Sequence, residues 1–193
     1  MRIVVSEFLS QDGVVEDPGG CEAYAHGGWA LRWRNREIDE DKKDELFGAD
    51  ALLLGRVTYE AYAAAWPSMT DEDGIADRIN SIPKFVASSA LKTPTWNNSR
   101  LLSGDVIDAV TALKRRPGRD LLVTGSATLV RVLARYRLVD LYRFTIYPVA
   151  LGSGKRLFDG HRIDLDLVGH RSTSTGVLLT TYQPAPATKE RAA

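Results

Sequence analysis

"LLLGRVTYE", residues 52–60, changes its grammar at one glycine. Three leucines in a row suit a strand buried on both faces. After Gly55, the polar residues Arg56, Thr58 and Glu60 open a segment whose apolar residues fall at helical spacing. The same order returns in "LLVTGSATLV" (121–130): apolar strand, glycine, small hydroxyl residues, helix. Ligands of open α/β sheets sit at the carboxyl ends of the strands. A helix N-terminus in that place offers free backbone N–H groups and the positive end of a dipole, which favour phosphate. Glycine lets backbone come close, Arg56 is a cationic fork, and Thr58 and Ser126 are hydroxyl donors. "ASSAL" (87–91) adds Ser88 and Ser89 just after a third strand. A strand–glycine–helix turn is also an ordinary tight connection, and neither turn is a Walker loop or a complete G-x-G-x-x-G. Together the three sites read as an α/β domain that binds a phosphorylated cofactor.

Outward from these turns, strands alternate with helices. "RIVVSEFLS" (2–10), "ALLL" (51–54), "KFVAS" (84–88), "RLLSG" (100–104), "LLVT" (121–124) and "DLYRFTIYPVAL" (140–151) read as strands. Helices are expected over 38–50, ending near Gly48, and over 56–66, stopped by Pro67. Others are expected over 70–82 with Asp71 as cap, over 105–116 and over 126–137. Residues 165–183 read as a closing antiparallel pair around Gly176, and 184–193 as a frayed tail after a single domain over 1–183. The pattern predicts three α/β/α layers around a mixed, mainly parallel sheet with an antiparallel C-terminal edge. The segment 11–29 is long, dotted with glycine and hard to pack.

Composition narrows the function. Lys plus Arg and Asp plus Glu are 25 each, so the basic excess of a general nucleic-acid binder is missing. Cys21 is the sole cysteine, which excludes an internal disulfide and a Cys-rich zinc site. His26, His161 and His170 lack metal-ligand spacing, so no metal is expected. There is no long apolar run for a signal peptide or a membrane span, and a cytoplasmic setting is the expectation.

"FLSQDGVVEDPGG", "HGGW", "ALLLGRVTYE", "KFVASSAL" and "DLLVTGSATLVRVLARYRLVDLYRFTIYPVALGSGKRLF" occur in order along nearly the whole chain. In these stretches the sequence resembles the dihydrofolate reductase-like superfamily. Within it, it resembles the reductase domain found at the C-terminus of the bifunctional riboflavin-biosynthesis deaminase–reductase. The last stretch carries most of the likeness, with Val139-Asp140, Pro148-Val149 and "LGSGKRLF" at the family's spacing.

The resemblance implies an NADPH-dependent reductase like 5-amino-6-(5-phosphoribosylamino)uracil reductase. It gives Gly55, Arg56 and Thr58 to cofactor phosphates, and Ser88 and Ser89 to the adenosine ribose phosphate. Thr124, Gly125, Ser126 and Ala127 fall at the pyrophosphate, where relatives commonly carry two or three glycines. On the substrate side it points to Asp12 of "SQDG" and to His26 and Trp29 of "HGGW", with Gly152, Gly154 and Lys155 beside a substrate phosphate. A plain Asp-Gly turn, a core-packing tryptophan and a surface turn are the competing readings. Glu7, Asp39 and Asp44 are the remaining nearby carboxylates, and none is singled out as proton donor. The zinc deaminase half is missing from this chain. The alternatives are therefore a reductase of another pterin-like or carbonyl substrate, or a non-catalytic NADP(H)-binding module. A homodimer is expected, closed over the apolar strand "LYRFTIYPVAL". Gly125→Ala is expected to weaken NADPH binding with little loss of stability.

Overall fold

The computed structural model describes residues 1–158, 160 and 162–186. The strands are β1 (Arg2–Ser10), β2 (Ala49–Gly55), β3 (Lys84–Ala87), β4 (Ser99–Leu101), β5 (Asp120–Thr124), β6 (Leu141–Tyr147), β7 (Leu165–Ser172) and β8 (Leu178–Pro184). The helices are α1 (Arg36–Gly48), α2 (Arg56–Ala65), α3 (Ile75–Ser81), α4 (Val106–Lys114) and α5 (Ala127–Arg135). The strands form one sheet in the order β4-β3-β2-β5-β1-β6-β8-β7. Pairs from β4 through β6 are parallel; β6–β8 and β8–β7 are antiparallel.

Alternation along the strands builds the two outer layers. Ile3, Val5, Leu53, Leu121 and Val123 pack with Val110 and Leu113 of α4 and Leu129, Val130 and Leu133 of α5. Val4, Leu52, Leu54, Val86 and Leu122 face the other way, onto Leu46 of α1, Tyr59 of α2 and Ile79 of α3. The leucine run of β2 is thus divided between two cores, as a strand covered on both faces requires. A third cluster of Trp29, Ala30, Ile38, Tyr147 and Val177 seats the segment after β1 against α1 and the end of β6.

Several boundaries move for local reasons. Asn35 Oδ1 accepts from Ile38 N, so α1 starts at Arg36 rather than 38. Asp71 does cap, accepting from Ile75 N and Ala76 N, but residues 71–74 form the turn and α3 starts at Ile75. β6 ends at Tyr147, ahead of Pro148, which has no N–H for a ladder. Lys84 is fully buried at the start of β3, where its ammonium donates to the carbonyls of Asn80, Ile82 and Asn97. It also stands 4.1 Å from the centre of the Trp96 ring.

The strand expected to close a dimer is not exposed. β6 lies inside the sheet between β1 and β8, with Tyr142, Phe144 and Tyr147 buried. The open apolar edge is β7, where Leu167 and Val168 are 52% and 57% exposed. β8 runs on through Pro184, while His161 and residues 187–193 of the expected tail lie outside the described residues. No helix among the described residues is long and apolar enough to cross a membrane.

Candidate functional site

β1 leads to α1 on one face of the sheet, whereas its neighbour β5 leads to α5 on the other. This is a topological switch point, and the crevice at its carboxyl end is where ligands of such sheets bind. β2 and β5 are also neighbours, with Leu53 opposite Val123, so the two glycine turns stand side by side at this crevice.

The turns interlock. A Cβ on Gly55 would lie 2.0 Å from Ser126 Oγ, and one on Gly125 would lie 2.7 Å from Thr58 Oγ1 and 2.8 Å from Thr58 Cγ2. Each glycine therefore leaves room for the hydroxyl residue of the opposite turn. Gly125 has φ +66°, and Ser126 has the same left-handed φ. For a residue with a Cβ that conformation costs roughly 1–2 kcal/mol. The expectation that Gly125→Ala would spare stability is corrected here: the added methyl would press on Thr58.

The helices behind these turns start bare. Neither Gly55, ahead of α2, nor Ser126, ahead of α5, gives a side-chain cap. By contrast, α1, α3 and α4 are capped by Asn35, Asp71 and Asp105. First-turn N–H groups of two adjacent helices, uncapped and at one crevice, fit the phosphates of a dinucleotide. Ala127 opens α5 and belongs to this set.

The remaining cofactor-side residues are brought to the same edge, and several already have partners. Arg56 Nη1 donates to Glu60 Oε2 at 2.7 Å, an exposed i,i+4 pair of the kind that holds weakly. Ser88 follows β3, whose Ala87 pairs with Gly55; its Oγ accepts from Ala90 N and Leu91 N and so caps a turn. Ser89 is exposed. Thr124 Oγ1 lies 3.3 Å from the Tyr62 hydroxyl.

The substrate-side residues serve a bracket. Asp12 accepts from Ser10 Oγ at 2.7 Å, Leu151 N at 3.0 Å and Gly152 N at 2.8 Å. These donors hold its carboxyl well below the usual carboxylate range. Trp29 is buried against Tyr147 and donates through Nε1 to Glu16 O. His26 is exposed, edge-on to Tyr24, whose hydroxyl donates to Ser153 O. Lys155 pairs with Glu16 at 2.7 Å, and the space a Cβ of Gly154 would need is taken by Tyr24 and Val14. The long segment after β1 is thus tied to residues 151–156 by side chains and by the Val14–Arg156 bridge.

Two further groups stand out. Ser6 Oγ donates to Glu45 Oε2 at 2.5 Å, and Lys42 Nζ donates to Glu45 Oε1 at 2.8 Å. This network opens on a cleft of about 390 Å³ between α1 and β6, β8 and β7, also lined by Arg143. Glu7 is 7% exposed, its Oε1 has no hydrogen-bond partner among the described residues, and burial pushes its carboxyl up to about 8 against the pull of Lys42. The signal for both groups was present in "RIVVSEFLS": a carboxylate and serines inside an apolar strand.

Known proteins agree with this architecture. YyaP, an uncharacterized protein of Bacillus subtilis, is 28% identical over 186 residues, covering 94% of each chain. A putative riboflavin biosynthesis protein from Shewanella superposes with a TM-score of 0.76 at 19% identity, covering 96% of this chain and all of that one. A pyrimidine reductase-like protein from Corynebacterium diphtheriae gives 0.65 at 15% identity, over 96% and 92%. Dihydrofolate reductase from Enterococcus faecalis, in a complex with NADP(H), gives 0.59 at 13%, over 96% and 97%. The family model described as RibD C-terminal domain matches residues 2–179, nearly the full length, and with that span the chain belongs to the RibD C-terminal domain family.

Proposed function

We propose that this protein is an NADPH-dependent reductase that transfers hydride to a conjugated C=N or similar acceptor. The observation that carries the reading is the pair of uncapped helix N-termini joined through interlocked glycine turns at the switch point. Family membership and the likeness to an NADP(H)-complexed dihydrofolate reductase support it. Gly55, Thr58, Gly125, Ser126 and Ala127 hold the pyrophosphate in this reading. Arg56, released from Glu60, meets the ribose phosphate together with Ser88 and Ser89. The bound cofactor supplies the hydride, and the protein orients the reactants and excludes water.

The acceptor is a ribosylamino-pyrimidine phosphate, as the riboflavin-linked relatives suggest, or another pterin-like or carbonyl compound. The non-catalytic alternative draws on Asp12, whose carboxylate is engaged in the bracket. Titration with NADPH, then NADPH oxidation against a panel of pterins, pyrimidines and quinones, separates these readings. Binding with turnover of a panel member supports the reductase, binding alone the cofactor module, and no binding removes both. The protein works in the cytoplasm as a homodimer, and β7 is the edge that a second copy would cover. Light scattering at micromolar concentration should give twice the chain mass; a monomer overturns the assembly.

A further inference from the structure

We propose that Glu7 is the proton donor of the reduction, a neutral carboxylic acid facing the reacting end of the cofactor. This rests on the reductase reading above. Ser6, opposite Thr124, is the last residue of β1 paired to β5. Glu7 is the next residue, held on its other side by pairing with Phe144 of β6. It therefore stands at the switch-point crevice, on the strand that runs on just past the end of β5. Its side chain is more than nine-tenths buried, with Oε1 sealed and unpartnered among the described residues.

A carboxyl buried with one oxygen sealed and without a donor is more stable protonated than ionised. Among the titratable groups of the surrounding elements, Lys42 of α1 favours the ionised form of Glu7, yet burial outweighs it and holds the carboxyl up to about 8. The Lys42 ammonium is itself engaged by Glu45 and Ser6. Arg143 of β6 also lies toward Glu45, at 3.9 Å. The Tyr62 hydroxyl of α2, bound to Thr124, is kept neutral by its own burial. Glu7 is thus poised with its proton at neutral pH, as a general acid must be.

In the reaction Glu7 gives its proton to the acceptor nitrogen while the acceptor carbon receives the hydride, with its two electrons, from dihydronicotinamide. The Glu7 O–H bond, the hydride donor's C–H bond and the acceptor C=N π bond would break, a C–H and an N–H bond would form on the acceptor, a bound NADPH would be converted to NADP⁺, and the carboxylate would regain a proton from water. Two other carboxylates near the crevice are already committed. Asp12 is held ionised by its donors, and Glu45 is paired.

The test uses NADP⁺, NADPH and the Glu7→Gln and Glu7→Asp variants. Infrared spectra of the ligand-free protein at pH 7 should show a protonated carboxyl that Glu7→Gln lacks. Oxidised nicotinamide is cationic and favours ionised Glu7, so NADP⁺ should bind about tenfold tighter at pH 9 than at pH 7 relative to NADPH. That difference should vanish in Glu7→Gln. With the panel acceptor, kcat should fall at least about a hundredfold in Glu7→Gln and recover in part in Glu7→Asp. The decline of kcat above pH 8 should be lost in Glu7→Gln. If Glu7→Gln does not fold, the wild-type NADP⁺ and NADPH profiles decide alone. Parallel profiles, or unimpaired turnover in Glu7→Gln, overturn the inference while leaving the reductase intact; a wild type that binds no NADPH removes both.

Discussion

The glycine turns and the segment after β1 share one end of the sheet but are built on opposite principles. At the turns, backbone donors are left open: α2 and α5 begin without side-chain caps, and the two glycines accommodate each other's neighbours. In the segment after β1, polar groups are matched within the protein: Asp12 to the 151–152 amides, Trp29 to Glu16, Tyr24 to Ser153. Open donors mark a seat for a ligand. Matched donors mark a wall that holds its shape without one. The difference shows that a polar residue near a crevice is a functional candidate only after its existing partners have been counted.

The contrast can be broken most forcefully at Gly125. Gly125→Val places a branched side chain against Thr58 at a left-handed φ. The combined clash and strain should cost roughly 2–4 kcal/mol in urea denaturation and abolish NADPH binding. If Gly125→Val keeps full stability, the interlock is not what holds the turns. Arg56→Ala comes next. It should reduce the preference for NADPH over NADH by about tenfold to a hundredfold, the worth of a charge-assisted hydrogen bond, with little change in stability. Equal losses for both cofactors in calorimetry would detach Arg56 from the ribose phosphate.

On the other side of the contrast, Asp12→Asn should lower stability by roughly 1–2 kcal/mol and leave NADPH binding unchanged. The pH dependence has a definite sign. The carboxyl is held below its unfolded value, so its contribution is complete above about pH 4 and fades as pH falls toward its folded value. An acid titration should therefore separate wild type from Asp12→Asn above pH 4 and bring them together below it. The smallest effect is expected at Ser126. Ser126→Gly removes the left-handed penalty and should stabilise by under about 1 kcal/mol, the gain being trimmed by the freer unfolded chain. Loss of stability instead would show that the packing of Ser126 Oγ on Gly55 outweighs the backbone strain.

Most of the fold was legible because strand and helix periods are local and the glycines mark their junctions. "LLLGRVTYE" and "LLVTGSATLV" both became strand–turn–helix units at the same sheet edge. The place of each strand in the sheet was not legible. "LYRFTIYPVAL" reads as an exposed edge because it is apolar, but β1 and β8 pair its backbone and its side chains are apolar because they enter the cores, Tyr142 and Phe144 with α4 and α5 and Tyr147 with Trp29. The site was legible where backbone conformation makes it, at Gly55 and Gly125. It was not legible where pairing decides, since nothing in "SQDG" announces that Asp12 meets amides 139 and 140 residues away. Lys84 has the same lesson: a lysine in "KFVAS" reads as solvated until three carbonyls converge on it. Glu7 was visible as a charge in an apolar strand, but its unpartnered burial needed the third dimension.

The insertion of β5 between β1 and β2 also sets the order in which the protein can be made. Strands that are close in sequence usually pair early, yet β1 and β2 share no ladder and are joined only when residues 120–124 arrive between them. A ribosome-bound chain that ends before that point holds β1 apart from the β2–β3–β4 ladder and only half of the proposed cofactor seat. During synthesis from the N-terminus, a central wedge arriving late leaves strand edges open to wrong partners for longer than a hairpin would. The proposed cofactor seat is therefore closed by one of the later steps of folding, and a ligand that fits it would act on the nascent chain as a clasp.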